Sequence, residues 1–250
     1  MISTDETRPL QLAGIELTRI VRVASMVLLG LAIPICLIST NVWYATNSEW
    51  LYSYNWWRND IPARAGLPKS ELNSGADQVK AYFNNDADRL DLRVTQNGVE
   101  YSLYSEREVD HMVDVKGLMR GVWSTMIWAG LIALAVFAAW AYLLRRQSWS
   151  ALLKTLRWSA AGTAAVVVVL GVIMAINFSW LFTQFHFISF ANDLWRLNPR
   201  TDYLLIMFPE RFFMEATVFI AALVVIQFAL LFVASTYARR RFILKADTKE

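Results

Sequence analysis

The sequence predicts an α-helical polytopic membrane protein, a four-transmembrane-helix bundle with a small extracytoplasmic α+β subdomain between spans 1 and 2. Three observations carry this. The 250 residues are 56% hydrophobic and 18% charged, too apolar for an ordinary soluble domain and too charged to lie entirely in lipid. Four apolar runs each reach the roughly 20 residues that a helix needs to cross the hydrocarbon. Arginines and lysines gather at the ends of those runs, where they set direction across a membrane. The formal charge of +3 therefore implies no nucleic-acid partner.

Residues 1–22, with Arg8, Arg19 and Arg22, form a cytoplasmic N-terminus. Residues 23–43 are the first span, read as an uncleaved signal anchor because the run is long and no small-x-small cleavage site precedes Trp43. Cys36, the single cysteine, lies inside this run and reads as packing, so neither a disulfide framework nor a thiolate metal cluster is available. Residues 44–121 form the extracytoplasmic subdomain and 122–144 the second span. Residues 145–157 hold Arg145, Arg146, Lys154 and Arg157 with no acid, which marks a cytoplasmic loop before the third span at 158–176. An extracytoplasmic re-entrant or interfacial segment (177–212), the fourth span (213–237) and a cytoplasmic tail (238–250) opening on Arg239, Arg240 and Arg241 complete the chain. Both termini then face the cytoplasm of a cell membrane, with any site at the outer leaflet. Trp43, Trp50, Trp56, Trp57, Trp123, Trp180 and Trp195 read mostly as an aromatic belt. Glu215, at the start of span 4, is a carboxylate at the headgroup boundary.

Within the subdomain, Asp77 to Phe83 predicts a short helix, and Leu90 to Thr95 and Val99 to Tyr104 alternate around Asn97-Gly98 as a β-hairpin does. Ser105 followed by Glu108 is a capping box, so a helix should start near Glu106 and run toward the membrane. On it Asp110 and Asp114 stand one turn apart, and His111 and Asp114 share a face at i, i+3, close enough for the carboxylate to orient the imidazole. An exposed, merely charged surface helix is the plainer reading of the same residues. In the second outer segment Asn198-Pro199 breaks any helix and Pro209 suits the first turn of the next. Broken backbone at membrane depth is tolerated only beside protein or a water-filled cavity. His111 and His186, the two histidines of the chain, both fall on this outer side.

Phe185-His186, Phe190, Asn192, Trp195, Pro199 and Asp202, then Phe208-Pro209 and Phe212-Phe213, together with His111, Asp114 and Lys116, form a pattern that resembles the bacterial lipoprotein intramolecular transacylase (Lit) family. The resemblance implies a membrane acyltransferase that moves the sn-2 acyl chain of a diacylglyceryl-modified lipoprotein to the α-amino group of its own N-terminal cysteine. Its partners are then lipoproteins and membrane lipids, and no cofactor or metal is called for. On this reading His186 and His111 are catalytic: His186 is general base and then acid, while His111 orients it, positions substrate or helps hold the oxyanion. Asn192, Trp195, Arg196 and Arg200 are donors or substrate-positioning groups, a belt role being the plainer one for Trp195. Asp114, Asp193 and Asp202 orient a histidine, or in the last two cases cap and solubilise the loop. Ser189 lacks a Gly-x-Ser-x-Gly elbow, and transfer within one substrate molecule requires no acyl-enzyme. Two rival classes remain. One is a metal-dependent hydrolase using His111, His186 and Asp114 or Asp193, disfavoured by the absence of His-x-x-x-His spacing. The other is a non-catalytic lipid or lipopeptide binder, which leaves the acyl pattern of its ligand unchanged.

Overall fold

The computed structural model describes residues 7–143 and 147–247. Arg145 and Arg146, the chain before Thr7 and the chain after Asp247, on which part of the expected topology rests, lie outside the described residues. In chain order the elements are α1 (Thr7–Asn47), α2 (Glu49–Arg58), α3 (Ile61–Ala65), α4 (Lys69–Asn84), β1 (Arg93–Gln96), β2 (Val99–Ser102), α5 (Glu106–Leu143), α6 (Gln147–Ile176), α7 (Phe178–Ser189), α8 (Tyr203–Met207) and α9 (Glu210–Asp247). Four of these helices are long and apolar enough to cross a membrane, over Arg19–Asn47, Glu106–Trp140, Leu152–Ile176 and Glu210–Arg241. Each outruns its apolar stretch because backbone pairing inside a helix continues past the lipid boundary. Thus α5 runs unbroken from the capping box into the second span.

Two compact units divide these helices between them. The described parts of Met1–Leu37, Ile127–Ala164 and Ile226–Glu250 form the first. Leu29, Trp140 and Leu152 are its buried centre. Hydrogen bonds between helices hold it, from Trp140 Nε1 to Ser25 Oγ at 2.9 Å and from Ser159 Oγ to the Gly30 carbonyl at 2.6 Å. A methyl group at Gly130 would stand 3.5 Å from Cys36 Sγ, an ordinary packing distance between α5 and α1.

Ile38–Met126 and Ala165–Val225 form the second unit, which contains the subdomain. Its core includes Leu51, Trp56, Ile61, Leu72, Leu92, Val94 and Met207. α4 is longer than Asp77 to Phe83 because Leu72, Ala76, Val79 and Phe83 repeat at i, i+4, i+7 and i+11 and bury one face. Helices α2 and α3 were not anticipated. Trp56, expected in the belt, is instead a core residue of α2 whose Nε1 donates to Asn73 Oδ1 at 3.0 Å. The hairpin pairs Arg93 with Ser102 through Gln96 with Val99. Asn97 (φ 52°) and Gly98 (φ 77°) supply the left-handed turn that such a two-residue loop needs. Side chains of α4 close the outer edge of β1: Gln78 accepts from the Arg93 N–H and donates to its carbonyl, both at 2.8 Å, and Glu71 accepts from the Thr95 N–H at 2.6 Å.

The capping box forms and does more than start α5. Glu108, 2% exposed, accepts from the Ser105 N–H (2.8 Å) and hydroxyl (2.7 Å) with one carboxylate oxygen. Its other oxygen accepts from the Leu204 N–H at 2.6 Å, in the first turn of α8. At the far end of α8, buried Asn55 donates to the Met207 carbonyl at 2.8 Å. Lys116 ties α5 to the loop after α4 through the Ala87 carbonyl (2.6 Å) and Asn85 Oδ1 (3.1 Å), with its ammonium 4.0 Å from the Tyr82 ring centroid. Glu108→Ala leaves two N–H groups and a hydroxyl without their acceptor. Thermal unfolding in detergent is expected to show a loss of about 2–4 kcal/mol; an unchanged midpoint would contradict the joint.

Candidate active site

His111 sits in the second turn of α5 and His186 on α7, which starts where Asn177 caps the Trp180 N–H at 3.0 Å. Their ring centroids are 6.2 Å apart, and the residues are 7% and 8% exposed. Three ties from α5 hold the second outer segment against this point. Arg107 Nη2 donates to the Asp193 carbonyl at 2.5 Å, Glu108 accepts from Leu204, and Asn192 Nδ2 donates to Asp114 Oδ2 at 2.8 Å. Arg107, His111 and Asp114 stand at i, i+4 and i+7, one stripe of the helix, so the segment is fastened above and below the histidine.

His186 Nδ1 lies 2.6 Å from the Phe182 carbonyl one turn back. A carbonyl only accepts, so Nδ1 carries the proton and the lone pair belongs to Nε2. Rings surround this imidazole: Phe182 at 4.4 Å, Trp195 at 4.9 Å, Phe185 at 5.4 Å and Phe190 at 5.7 Å between centroids. Phe190 also packs edge-on to His111 at 5.2 Å. Burial among them pushes the His186 pKa below its ordinary 6.5, against the pull of the hydrogen bond to Phe182. The neutral base therefore persists to lower pH than in a solvated histidine.

Both histidines line a cavity of about 800 Å³. Its walls follow helical stripes: His111, Met112, Val115 and Met119 on α5, and Phe212, Phe213, Ala216 and Ile220 on α9, and Val42 of α1 also lines it. From His111 to Met119 the stripe runs about 12 Å along the helix. An apolar cavity with a few polar groups at the imidazoles has the character of a site for an apolar chain.

The other expected site residues divide clearly. Trp195 and Arg196 line the cavity; Asn192 reaches Asp114, and that carboxylate braces the loop. Asp193 pairs with Arg196 at 3.0 Å, and Asp202 accepts from the Asn198 N–H at 2.6 Å and the Thr201 hydroxyl at 3.1 Å, so both carboxylates are engaged within their own loop. Exposed Arg200 is not among the cavity-lining residues. Glu215 is held by Arg211 at 3.0 Å and Arg58 at 3.4 Å. Among the described residues no group of three or more His, Cys, Asp or Glu could hold a metal ion. Arg107 escaped the sequence reading, although its i, i+4 spacing from His111 was available as a signal.

A sequence profile described as Lipoprotein intramolecular transacylase Lit matches residues 27–213. The chain belongs to the Lit family. Among solved structures, the membrane integral lipoprotein intramolecular transacylase Lit from Bacillus cereus is 23% identical and superimposes with a TM-score of 0.73, over 92% of this chain and 99% of that one. Two variants of the same protein also match. One carries a histidine-to-arginine substitution (20% identity, TM-score 0.72, 95% and 99% covered) and the other a histidine-to-alanine substitution (21%, 0.74, 92% and 99%). These likenesses establish a common fold. No curated protein sequence matches. As a Lit-family chain with two histidines, the protein suits direct titration by NMR with ¹⁵N-labelled histidine. His186 is expected as the neutral Nδ1–H tautomer at pH 7, protonating only below 6.5; an Nε2–H tautomer, or titration at or above 6.5, would contradict the geometry.

Proposed function

We propose that this Lit-family protein transfers the sn-2 acyl chain of a diacylglyceryl lipoprotein to the α-amino group of its N-terminal cysteine, at the outer leaflet and with both termini cytoplasmic. The observation that carries the proposal is the buried His186, its Nδ1–H committed to the Phe182 carbonyl, on the wall of an apolar cavity shared with His111.

Aminolysis of an ester poses two unequal proton problems. Deprotonating an α-ammonium of pKa about 7.7–8.0 at neutral pH costs on the order of 1 kcal/mol. Expelling a glycerol alkoxide unprotonated costs roughly 11 kcal/mol, given an alcohol pKa near that of water. The catalyst therefore serves chiefly to deliver a proton to the departing oxygen. The Nε2 of His186 takes the proton released by the attacking nitrogen and returns it to the sn-2 oxygen as the tetrahedral intermediate collapses. Burial that weakens the imidazole as a base makes its conjugate acid stronger, which favours the harder half of the reaction. His111, in the same aromatic shell, positions the ester, and the Asp114–Asn192 bond with the Arg107 tie keeps the two histidine segments in register. Amine and ester reach the site on one molecule, which removes the entropic cost of bringing two substrates together.

The test uses the full-length protein in lipid vesicles with a synthetic diacylglyceryl-cysteinyl peptide bearing a free amine. Wild type should yield alkali-stable amide-linked acyl, and His186→Ala should lower the rate by about 10²–10⁴-fold. The acid limb of the rate should follow the substrate amine near pH 7.7–8.0 rather than an imidazole near 6.5. Full activity in His186→Ala would sink the assignment, and absence of amide product from wild type would sink the reaction.

A further inference from the structure

Resting on the transacylase reading, we infer that the indole N–H of Trp195 is the donor that holds the tetrahedral oxyanion, and that Arg196, stacked on the same ring, strengthens it. Trp195 lines the cavity, and its ring lies 4.9 Å from that of His186 at an interplanar angle of 33°. A belt tryptophan keeps its N–H in the wet interface. That of Trp195 is buried and has no acceptor among the described residues. Buried donors are nearly always paired, so an orphaned one beside a proposed proton-transfer group calls for an acceptor that arrives with the substrate.

The surrounding residues hold the ring and tune it. The Arg196 guanidinium lies 5.1 Å from the Trp195 ring centroid and 5.5 Å from that of Phe187. Phe187 in turn meets Trp195 edge-on at 5.3 Å. Arg196 is oriented by Asp193, whose backbone carbonyl accepts from Arg107 at the start of α5. A cation over the face draws electron density from the indole, making its N–H a better donor to negative charge. During the step, the amine lone pair forms the C–N bond and the carbonyl π pair moves to oxygen, where the indole N–H meets it. The nitrogen's proton passes to His186 Nε2. On collapse the oxygen pair re-forms C=O, the bond to the glycerol oxygen breaks, and that oxygen takes the proton back. The indole proton is never transferred, so its contribution is felt where charge is greatest.

Trp195→Phe keeps the aromatic packing and removes the N–H. With the full-length protein in lipid nanodiscs and the synthetic lipopeptide, kcat should fall by about 10²–10³-fold while KM changes little. A phosphonate analogue, with an anionic tetrahedral phosphorus in place of the sn-2 ester carbonyl, should lose far more affinity in this variant than the ester substrate does. Arg196→Gln should lower kcat by about 2–5-fold. In ¹⁵N-tryptophan spectra, the indole resonance missing from Trp195→Phe should move downfield when wild type binds the phosphonate, a readout independent of how well the variant folds. An active wild type with Trp195→Phe kcat within about threefold, or an unmoved indole resonance on phosphonate binding, overturns the donor role and leaves the transacylase reading standing. A wild type that forms no amide overturns both.

Discussion

Everything at the candidate site depends on one buried carboxylate. Glu108 closes the first turn of α5 through Ser105 and, with its second oxygen, the first turn of α8 through Leu204. These segments are far apart in sequence, and each alone would leave backbone donors unpaired at a helix start. Joining both starts to one acceptor sets α5 against the second outer segment. The Arg107 and Asp114 contacts on either side of His111 then fix the register of the strip that carries Asn192 and Trp195. The approach of His111 to within 6.2 Å of His186 follows from that docking.

What the docking creates is a buried, ring-lined corner open to an apolar cavity. Removing water lowers the basicity of His186, and the Phe182 carbonyl settles which nitrogen keeps its proton. Both effects come from ordinary helix geometry and aromatic packing; among the described residues no charged partner is hydrogen-bonded to the imidazole. Of the two roles left open for Asp193 and Asp202, orienting a histidine or capping the loop, the contacts they make are those within the loop. Those carboxylates stabilise the loop instead, and the histidine is oriented by backbone, which adds no further charge to bury.

Much of the fold was legible because its signals are local. Apolar length marks the four spans, Asn97-Gly98 marks the hairpin turn, and Ser105 with Glu108 marks the start of α5. What escaped was set by tertiary partners. Helix α2 carries aromatic residues that suit either a membrane belt or a core, and only contacts such as Trp56 to Asn73 decide between them. Asn55 reaches a carbonyl 152 residues away, a pairing that no short window encodes. At the site, the two histidines and Asn192 could be named from the sequence. The division of labour among Asp114, Asp193 and Asp202 depended on which donor each carboxylate meets in space.

The most direct test is the state of the acyl chains on a lipoprotein N-terminal cysteine from cells with and without this protein. Transfer from oxygen to nitrogen within one molecule is an isomerisation, so intact mass is silent and fragmentation must be read. Transacylation predicts that the protein converts a peptide losing a diacylated thioglyceryl fragment into one losing a monoacylated fragment, with the second acyl retained on nitrogen and resistant to mild alkali. Identical fragmentation in the two sets of cells, with both acyl chains still alkali-labile, would contradict it.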